Sequence, residues 1–273
     1  MPVIFSELGG PMSESFHKQL IEQRRHLHQY PEVGWTEFET TWYIVQKLQS
    51  WGYDVHIGRE VIDEKSIRGR NIELVNEARA RAAAHGVPET FLKKTEGLTG
   101  CVGEISFEKE GPVLVFRFDI DALPVQETDS ESHTPNREGF RSKREGIMHA
   151  CGHDGHMALL MGFAKWCSEH RDSLKYNLVF IFQPGEEGNG GARRMIEAGV
   201  LENPHADRLY GFHLMPELEM GKIAVVPGPL MAGACEFDIK ITGRAAHGAA
   251  PYKGIDALAV ASECYLGIQN ILT

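Results

Sequence analysis

The chain has 273 residues, 42% hydrophobic residues and a formal net charge of −10, which allows one large domain or two modest ones. The acidic balance, without a basic run, argues against partners such as nucleic acids or anionic membranes, and no apolar run reaches the roughly 20 residues that span a bilayer. The five cysteines show no framework spacing and the N-terminus lacks a signal-peptide pattern, so we expect a cytoplasmic protein.

Predicted helices and strands alternate along the chain, which favours an α/β fold with a mostly parallel sheet flanked by helices. A first helix is expected over residues 12–30 and a second over 36–52. Thr36, the first residue of the second predicted helix, and Glu39, three positions later, have the spacing of a capping box. The charged segment 59–97 is a predicted insertion on the domain, with a solvated helix over 71–85.

Two strands are predicted next, at residues 100–107 and 113–118, and the second leads into Asp119 and Asp121. These aspartates share a face if the strand persists, so either can brace an imidazole that binds a metal. For Asp121 a role in capping a loop is an equally open alternative.

The segment Met148–His156 concentrates ligand-type side chains, with one thiol, three imidazoles and one carboxylate. A single glycine separates Cys151 from His153, so in a turn both side chains can converge on one point. A helix is predicted to begin after Gly155. A buried cysteine beside surface histidines is the alternative, but the density of ligands favours a metal site.

The apolar run 177–183 is a predicted buried strand that breaks at Pro184 and is followed by Glu186 and Glu187. Ligands bind at the carboxyl ends of strands in open α/β sheets, so one glutamate can hold a metal while the other acts on water. An acidic surface turn is the alternative. His213 closes another apolar run, where a lone histidine is more often structural.

The sequence Pro-Gly-Pro at residues 227–229 interrupts the pattern of the preceding apolar run, which predicts a boundary between domains 1–228 and 229–273. A strand at 235–241 and a helix from about residue 255 would form only the start of a small α/β domain. Their inner faces are expected to lack partners within the chain, namely at Phe237, Ile239, Ile241, Leu258 and Leu266.

Four segments resemble, in order and spacing, the aminoacylase and carboxypeptidase-G-like metallopeptidases, in the branch with hippurate hydrolases and plant auxin-conjugate amidohydrolases. They are Met148–His156, Gln183–Gly188, Gly211–His213 and Ala245–Gly248. The N-terminal part and the insertion are most similar to the aminobenzoyl-glutamate hydrolase subgroup. The resemblance implies a zinc-exopeptidase-like fold followed by a lid and dimerisation domain, of which the C-terminal part is expected to be missing.

The resemblance also implies two divalent metal ions, Mn or Zn, and a role for each site residue. The implied metal ligands are Cys151, as a bridge, with His153, Glu187 and His213. Glu186 is the implied general base, and His247 the histidine that stabilises the oxyanion, supplied to a neighbouring subunit. Asp119 is the catalytic aspartate expected to brace a ligating imidazole.

The expected activity is metal-dependent hydrolysis of the amide bond in small N-acyl or N-aroyl amino acids, such as p-aminobenzoyl-glutamate. A homodimer or hetero-oligomer would form through the lid domain. Two alternatives stay open from the sequence. One is a truncated, catalytically inactive subunit or partner protein that retains metal, and the other is a plain metal-binding module.

Overall fold

The computed structural model describes residues 13–65, 67–105, 111–231, 233 and 237–272. Contacts divide the chain into two compact units, Met1–Pro216 and Glu217–Thr273. The second unit begins ahead of the boundary predicted near residue 229, and its assignment as a lid domain stays a prediction. None of the helices in the described part of the chain has both the length and the apolar character needed to cross a membrane.

The three helices predicted in the N-terminal part are confirmed as α1, α2 and α3. In the described part of the first unit the α-helices are α1 (Glu14–Gln29), α2 (Phe38–Ser50), α3 (Ile72–Ala84), α4 (Glu89–Lys94), α5 (Thr134–Arg137), α6 (His153–Glu169) and α7 (Gly191–Glu197). Helix α1 begins after Ser13, whose hydroxyl accepts a hydrogen bond from Phe16 N (3.2 Å). The side chain of Asn71 caps α3 in the same way, by accepting from Glu73 N (2.9 Å).

The capping box predicted at the start of α2 is wrong. The Thr36 hydroxyl donates to Val33 O (2.7 Å) and so closes the preceding turn instead of accepting from the helix. Glu37 occupies the N-cap position without a side-chain capping bond. Glu39 instead accepts from Arg144 Nη2 (2.7 Å). The Glu39 side chain that the capping box requires is therefore engaged in a long-range ion pair instead.

Five strands form one mixed sheet in the order β1–β2–β4–β3–β5. They are β1 (Asp54–Ile57), β2 (Cys101–Ile105), β3 (Val113–Asp119), β4 (Asn177–Gln183) and β5 (Arg208–Gly211). Strand β3 runs parallel to β4 and β5, whereas β2 is antiparallel to β1 and β4. The α/β fold with a helix-flanked sheet is confirmed, but the sheet is mixed and not mostly parallel, because β2 is antiparallel to both of its neighbours. Its parallel half is the part that carries the predicted site.

Strand β4 forms the apolar centre of this sheet, because every residue from Leu178 to Gln183 is buried. The Phe180 ring lies 5.6 Å from that of Phe116 and 5.4 Å from that of Tyr53. Burial of each such phenylalanine contributes about 1.5–3 kcal/mol. The segment that follows Gln183 is consequently attached to one of the best-anchored strands of the molecule.

Within the first unit, the predicted insertion packs against the rest of the unit through one side of α3. Val75, Ala78 and Ala82 are its buried residues, while most of the helix is exposed. Arg81 donates to Glu32 Oε1 (2.9 Å), which joins the insertion to the loop between α1 and α2. The prediction of a largely solvated helix is confirmed, with a narrow apolar contact.

In the second unit, α8 (Ala257–Leu272) confirms the predicted helix. Residues 237–241 form no strand, so that prediction is wrong for its described part; Cys235 and Glu236 lie outside the described residues. A strand requires a hydrogen-bonding neighbour, and the backbone pairing described in this unit is the isolated bridge between Arg244 and Ile255. Four of the expected inner-face residues are exposed, namely Phe237, Ile239, Leu258 and Leu266.

Candidate metal centre

The predicted site residues of the first unit meet at the carboxyl ends of three parallel strands. Asp119 is the last residue of β3, Glu186 and Glu187 follow β4, and His213 follows β5. Because parallel strands end at the same edge of a sheet, side chains distant in sequence become neighbours there. Cys151 reaches this edge from the loop that precedes α6, and His153 from the first residue of that helix.

Gly152 determines how this loop enters α6. Its φ of 91° lies in the left-handed region, where a residue with a side chain is strained. The helix starts directly after it at His153, so the predicted start after Gly155 is three residues late. Leu123 and Met148 form an antiparallel bridge, with N–O distances of 3.0 and 3.1 Å. This bridge joins the loop to the segment that follows Asp121.

Cys151, His153 and His213 form the first cluster, in which one ligand atom of each residue lies within 4.8 Å of the others. Cys151 Sγ lies 3.4 Å from His213 Nε2. His213 Nδ1 donates to Leu214 O (2.7 Å), which leaves the Nε2 lone pair directed at the thiol. A neutral imidazole in this tautomer is the form that binds metals.

His153 is completely buried and is oriented in the same manner. Its Nδ1 donates to Asp121 O (2.8 Å), so its Nε2 is free to ligate. That Nε2 lies 3.8 Å from Glu186 Oε2 and 3.8 Å from Glu187 Oε1. The structure thus brings the thiol, two imidazoles and two carboxylates together, and we call these five side chains the metal centre.

Two buried atoms of the metal centre, His153 Nε2 and Glu187 Oε1, have no hydrogen-bond partner among the described residues. Buried polar atoms are nearly always paired, and a bound ion is one reason for an exception. Thiolate, imidazole and carboxylate are together the donors that proteins offer to divalent transition metals. The residues therefore fit a metal.

The electrostatics of the metal centre favour binding of a cation. Burial, together with the charges of Glu187 and Glu186, raises the pKa of Cys151 to about 12. Burial lowers the pKa of His153, but the hydrogen bond to Asp121 and the surrounding carboxylates raise it to about 9. A cation at this point reverses both effects, because it favours thiolate and neutral imidazole.

The two adjacent glutamates differ in their surroundings. Glu187 N donates to Asp121 Oδ2 (2.9 Å), and its carboxylate is the more buried, with 23% exposure of the side chain against 39% for Glu186. Burial and the charge of Asp119 raise the pKa of Glu186. One glutamate is therefore directed into the cluster, while the other is more open to solvent.

Asp119 is buried, and the imidazole that donates to it belongs to His156, which is not one of the predicted ligands. His156 Nδ1 donates to Asp119 Oδ1 (2.5 Å), and His156 Nε2 accepts from Leu214 N (2.9 Å). Asp119 Oδ1 lies 3.5 Å from His153 Nε2, whereas His153 Nδ1 is braced by Asp121. His156 was not predicted from the sequence, although its i,i+3 spacing from His153 places both on one face once α6 begins at His153.

His247 belongs to the second unit, where it is exposed and its Nδ1 accepts from Ala249 N (3.1 Å). Its predicted role in catalysis stays a prediction.

Sequence reasoning also missed a buried group behind the metal-binding loop. His28 Nδ1 donates to Asp154 Oδ2 (2.8 Å), and its Nε2 donates to Glu127 Oε1 (3.0 Å). Arg24 also pairs with Asp154, at 2.8 Å. We call His28, Asp154 and Glu127 the α1 network. No local pattern connects these residues, because more than ninety positions separate His28 from either carboxylate.

Comparison with known proteins agrees with this geometry. Residues 115–271 match the family described as peptidase family M20/M25/M40. A homolog of p-aminobenzoyl-glutamate hydrolase from Haemophilus influenzae is 36% identical over 255 residues, covering 93% of this chain and 60% of the relative. The indole-3-acetyl-aspartic acid hydrolase of Enterobacter agglomerans is 38% identical over 269 residues, covering 96% of this chain and 61% of the relative.

A crystal structure of a dinuclear metal-binding peptidase of the M20 family from Bacillus subtilis superposes with a TM-score of 0.60 at 34% identity, covering 80% of this chain and 49% of that one. This chain spans about 60% of the length of the two curated relatives. The resemblance inferred from the four sequence segments is confirmed, since the family match includes Cys151, Glu186 and His213. The chain belongs to peptidase family M20/M25/M40.

Proposed function

We propose that the chain acts as a metal-dependent amidohydrolase on N-acyl or N-aroyl amino acids. The observation that carries this proposal is the position of Glu186, whose Oε2 lies 3.8 Å from His153 Nε2. That nitrogen and Glu187 Oε1 have no hydrogen-bond partner among the described residues. A centre that only stored metal would have no use for a second, more open glutamate at 3.8 Å from the ligating imidazole.

In this proposal Cys151, His153, Glu187 and His213 would hold two divalent ions, Mn or Zn, with Cys151 serving both. The thiolate favours Zn by its softness. When bound, such ions supply Lewis acidity, which acidifies water and polarises a carbonyl oxygen. The chain's own groups then have to orient the ligands and move one proton.

Glu186 is the proposed general base. It removes a proton from the attacking water and returns it to the amide nitrogen as the C–N bond breaks, so no covalent enzyme intermediate is needed. His156 and Asp121 hold the ligand loops in place through Leu214 N and Glu187 N. His247, from a neighbouring subunit of a homodimer or hetero-oligomer, is the proposed oxyanion donor, as the family resemblance implies.

The names of two relatives support a substrate class. Aminobenzoyl-glutamate and indole-3-acetyl-aspartic acid both join an aromatic acyl group to an acidic amino acid. We therefore propose N-aroyl or N-arylacetyl derivatives of glutamate and aspartate as substrates, hydrolysed in the cytoplasm.

Glu186→Gln tests the mechanism. We expect kcat for p-aminobenzoyl-glutamate to fall by about 10²- to 10⁴-fold with unchanged metal content, because the amide keeps the shape but cannot carry the proton. Glu187→Gln is the matched control and is expected to lose metal. Metal loss in Glu186→Gln would identify Glu186 as the ligand instead. Metal binding by the wild type without turnover of any N-acyl amino acid would favour the inactive-subunit alternative.

A further inference from the structure

The segment Pro184–Gly188, which we call the glutamate turn, is held by two buried carboxylates. Glu37 Oε1 accepts from Gly185 N (2.9 Å), and Asp121 Oδ2 accepts from Glu187 N (2.9 Å). These two bonds fix the backbone on either side of Glu186. Glu37 comes from the start of α2, 148 positions away along the chain from Gly185.

Glu37 is unusually well fixed for this purpose. Its side chain is completely buried, and its second oxygen accepts from Thr99 Oγ1 (2.5 Å). It occupies the N-cap position of α2, where a side chain normally accepts from its own helix, yet it makes no such bond. Burying a carboxyl group is costly unless it is hydrogen-bonded. Its contacts show that the group serves the glutamate turn and not its own helix.

Trp35, two residues before Glu37, also contacts the glutamate turn, through its indole ring. Its φ is 67°, a left-handed conformation that is strained for a bulky residue and persists only where the surroundings impose it. The ring lies against Gly185, since a Cβ built on that glycine would meet Trp35 Cε2 at 3.1 Å. The indole Nε1 donates to Arg68 O of the insertion (3.0 Å). Strain is thus concentrated where the Trp35 segment meets the glutamate turn.

We propose that Glu37 is a positioning residue, which fixes the backbone of the glutamate turn and thereby directs Glu187 to the metal and Glu186 to the reacting water. The part that concerns Glu186 rests on the proposed function. The part that concerns Glu187 is a statement about metal binding, and it can be tested without turnover.

Glu32 provides a matched control. It is also a completely buried glutamate in the segment between α1 and α2, and its carboxylate is engaged by Thr40 N (2.8 Å) and Arg81 Nη2 (2.9 Å). Both of these partners lie outside the glutamate turn. Substitution of Glu32 therefore reproduces the loss of a buried carboxylate without the loss of the bond to Gly185.

The test compares Glu37→Leu, Glu37→Gln and Glu32→Leu in the full chain. Amide hydrogen exchange of peptides that span residues 183–191 reports on the turn, and titration with Co²⁺ reports on the metal centre. For Glu37→Leu we expect faster exchange of the turn and Co²⁺ affinity weakened by about 10- to 100-fold, the usual effect of removing an outer partner. The cobalt–thiolate absorption from Cys151 is expected to persist, because that ligand is held elsewhere.

Glu37→Gln is expected to restore most of the Co²⁺ affinity, because its amide oxygen can still accept from Gly185 N. Glu32→Leu is expected to leave both readouts at the wild-type level even if its thermal midpoint falls. Where hydrolysis is measured, Glu37→Leu should lower kcat with little change in KM.

If Glu37→Leu does not fold, Thr99→Val replaces it, because this variant removes only the donor that orients the carboxyl group; a smaller change of the same sign is expected. Unchanged exchange and Co²⁺ affinity in a folded Glu37→Leu or Thr99→Val variant would overturn the proposal, and so would an equal loss in Glu32→Leu. A wild type without hydrolytic activity would contradict the proposed function alone, since exchange and Co²⁺ binding still decide the role of Glu37.

Discussion

The metal centre and the α1 network both pair a completely or nearly completely buried histidine, His153 or His28, with carboxylates, yet the two histidines use their ring nitrogens differently. In the α1 network both nitrogens of His28 donate to carboxylates. In the metal centre His153 uses only Nδ1, and its Nε2 has no hydrogen-bond partner in the described structure. A buried atom without a partner is not unique to the metal centre, because Asp154 Oδ1 of the α1 network also lacks one among the described residues. What identifies the ligand site is that the unpartnered His153 Nε2 lies within 4.8 Å of ligand atoms of a thiol and a second imidazole.

The largest expected effect is the loss of stability when the α1 network is disrupted. His28→Leu leaves Asp154 and Glu127 buried without their shared cation, and breaking a buried pair in this way costs about 3–5 kcal/mol. We expect about 3 kcal/mol, the low end of that range, because Arg24 and His133 still pair with the two carboxylates. Urea denaturation of the metal-free protein measures the loss in free energy of unfolding.

Disruption of the α1 network is expected to leave the metal centre largely intact, so the Zn²⁺ affinity of His28→Leu should stay within about tenfold of the wild type. His133→Leu is the control, since it removes a partly exposed partner of Glu127. A His28→Leu variant of normal stability that no longer binds metal would show that the two regions are one.

For Cys151→Ser we expect the opposite result, namely a large loss of metal affinity with little loss of stability. A hydroxyl stays protonated and cannot replace a thiolate. Loss of a direct ligand is expected to exceed the roughly 10- to 100-fold that loss of an outer partner costs, whereas the metal-free protein should unfold at nearly the wild-type urea concentration. Metal stoichiometry and a Zn²⁺ competition titration measure the first quantity. Unchanged stoichiometry would remove Cys151 from its proposed position between two ions.

The pH dependence of stability is the smallest expected effect. Burial lowers the pKa of His28, but its hydrogen bonds to Asp154 and Glu127 raise it above the usual value. The folded state therefore binds this proton more tightly than the unfolded state, and the stabilisation is complete below the unfolded pKa of about 6.5 and lost as pH rises through the folded pKa.

The corresponding measurement is the difference in unfolding free energy between wild type and His28→Leu, both metal-free, from about pH 5.5 to about pH 8.5. The difference is expected to shrink towards the alkaline end. At acidic pH the difference should also decline once the two carboxylates become protonated. Burial raises the pKa of Asp154 and Glu127, but the hydrogen bonds from His28 lower it, and the net direction is below the usual value. A difference that is constant over the whole range would mean that His28 is not protonated in the folded state.

The sequence predicted those features of the site that are local. Cys151 and His153 are two positions apart, and Glu186 and Glu187 lie just beyond a buried apolar strand, so spacing and strand ends indicate that they lie together, while their individual roles come from the family resemblance. Glu37 and the α1 network depend on contacts that span about a hundred residues or more, and no periodicity contains that information. The wrong capping box at Thr36 has the same origin, since tertiary partners of Glu39 outweighed a local preference.

The position of β5 has a consequence for how the molecule opens. This strand lies at the edge of the sheet, pairs with β3 through four residues and is exposed along its whole length, so it is among the segments that fray most readily. Yet His213 follows it by two residues, and Leu214 is bonded to His156. Transient opening of this edge would withdraw His213 while the other three proposed ligands stay in place, so fraying of β5 would limit the lifetime of the assembled site.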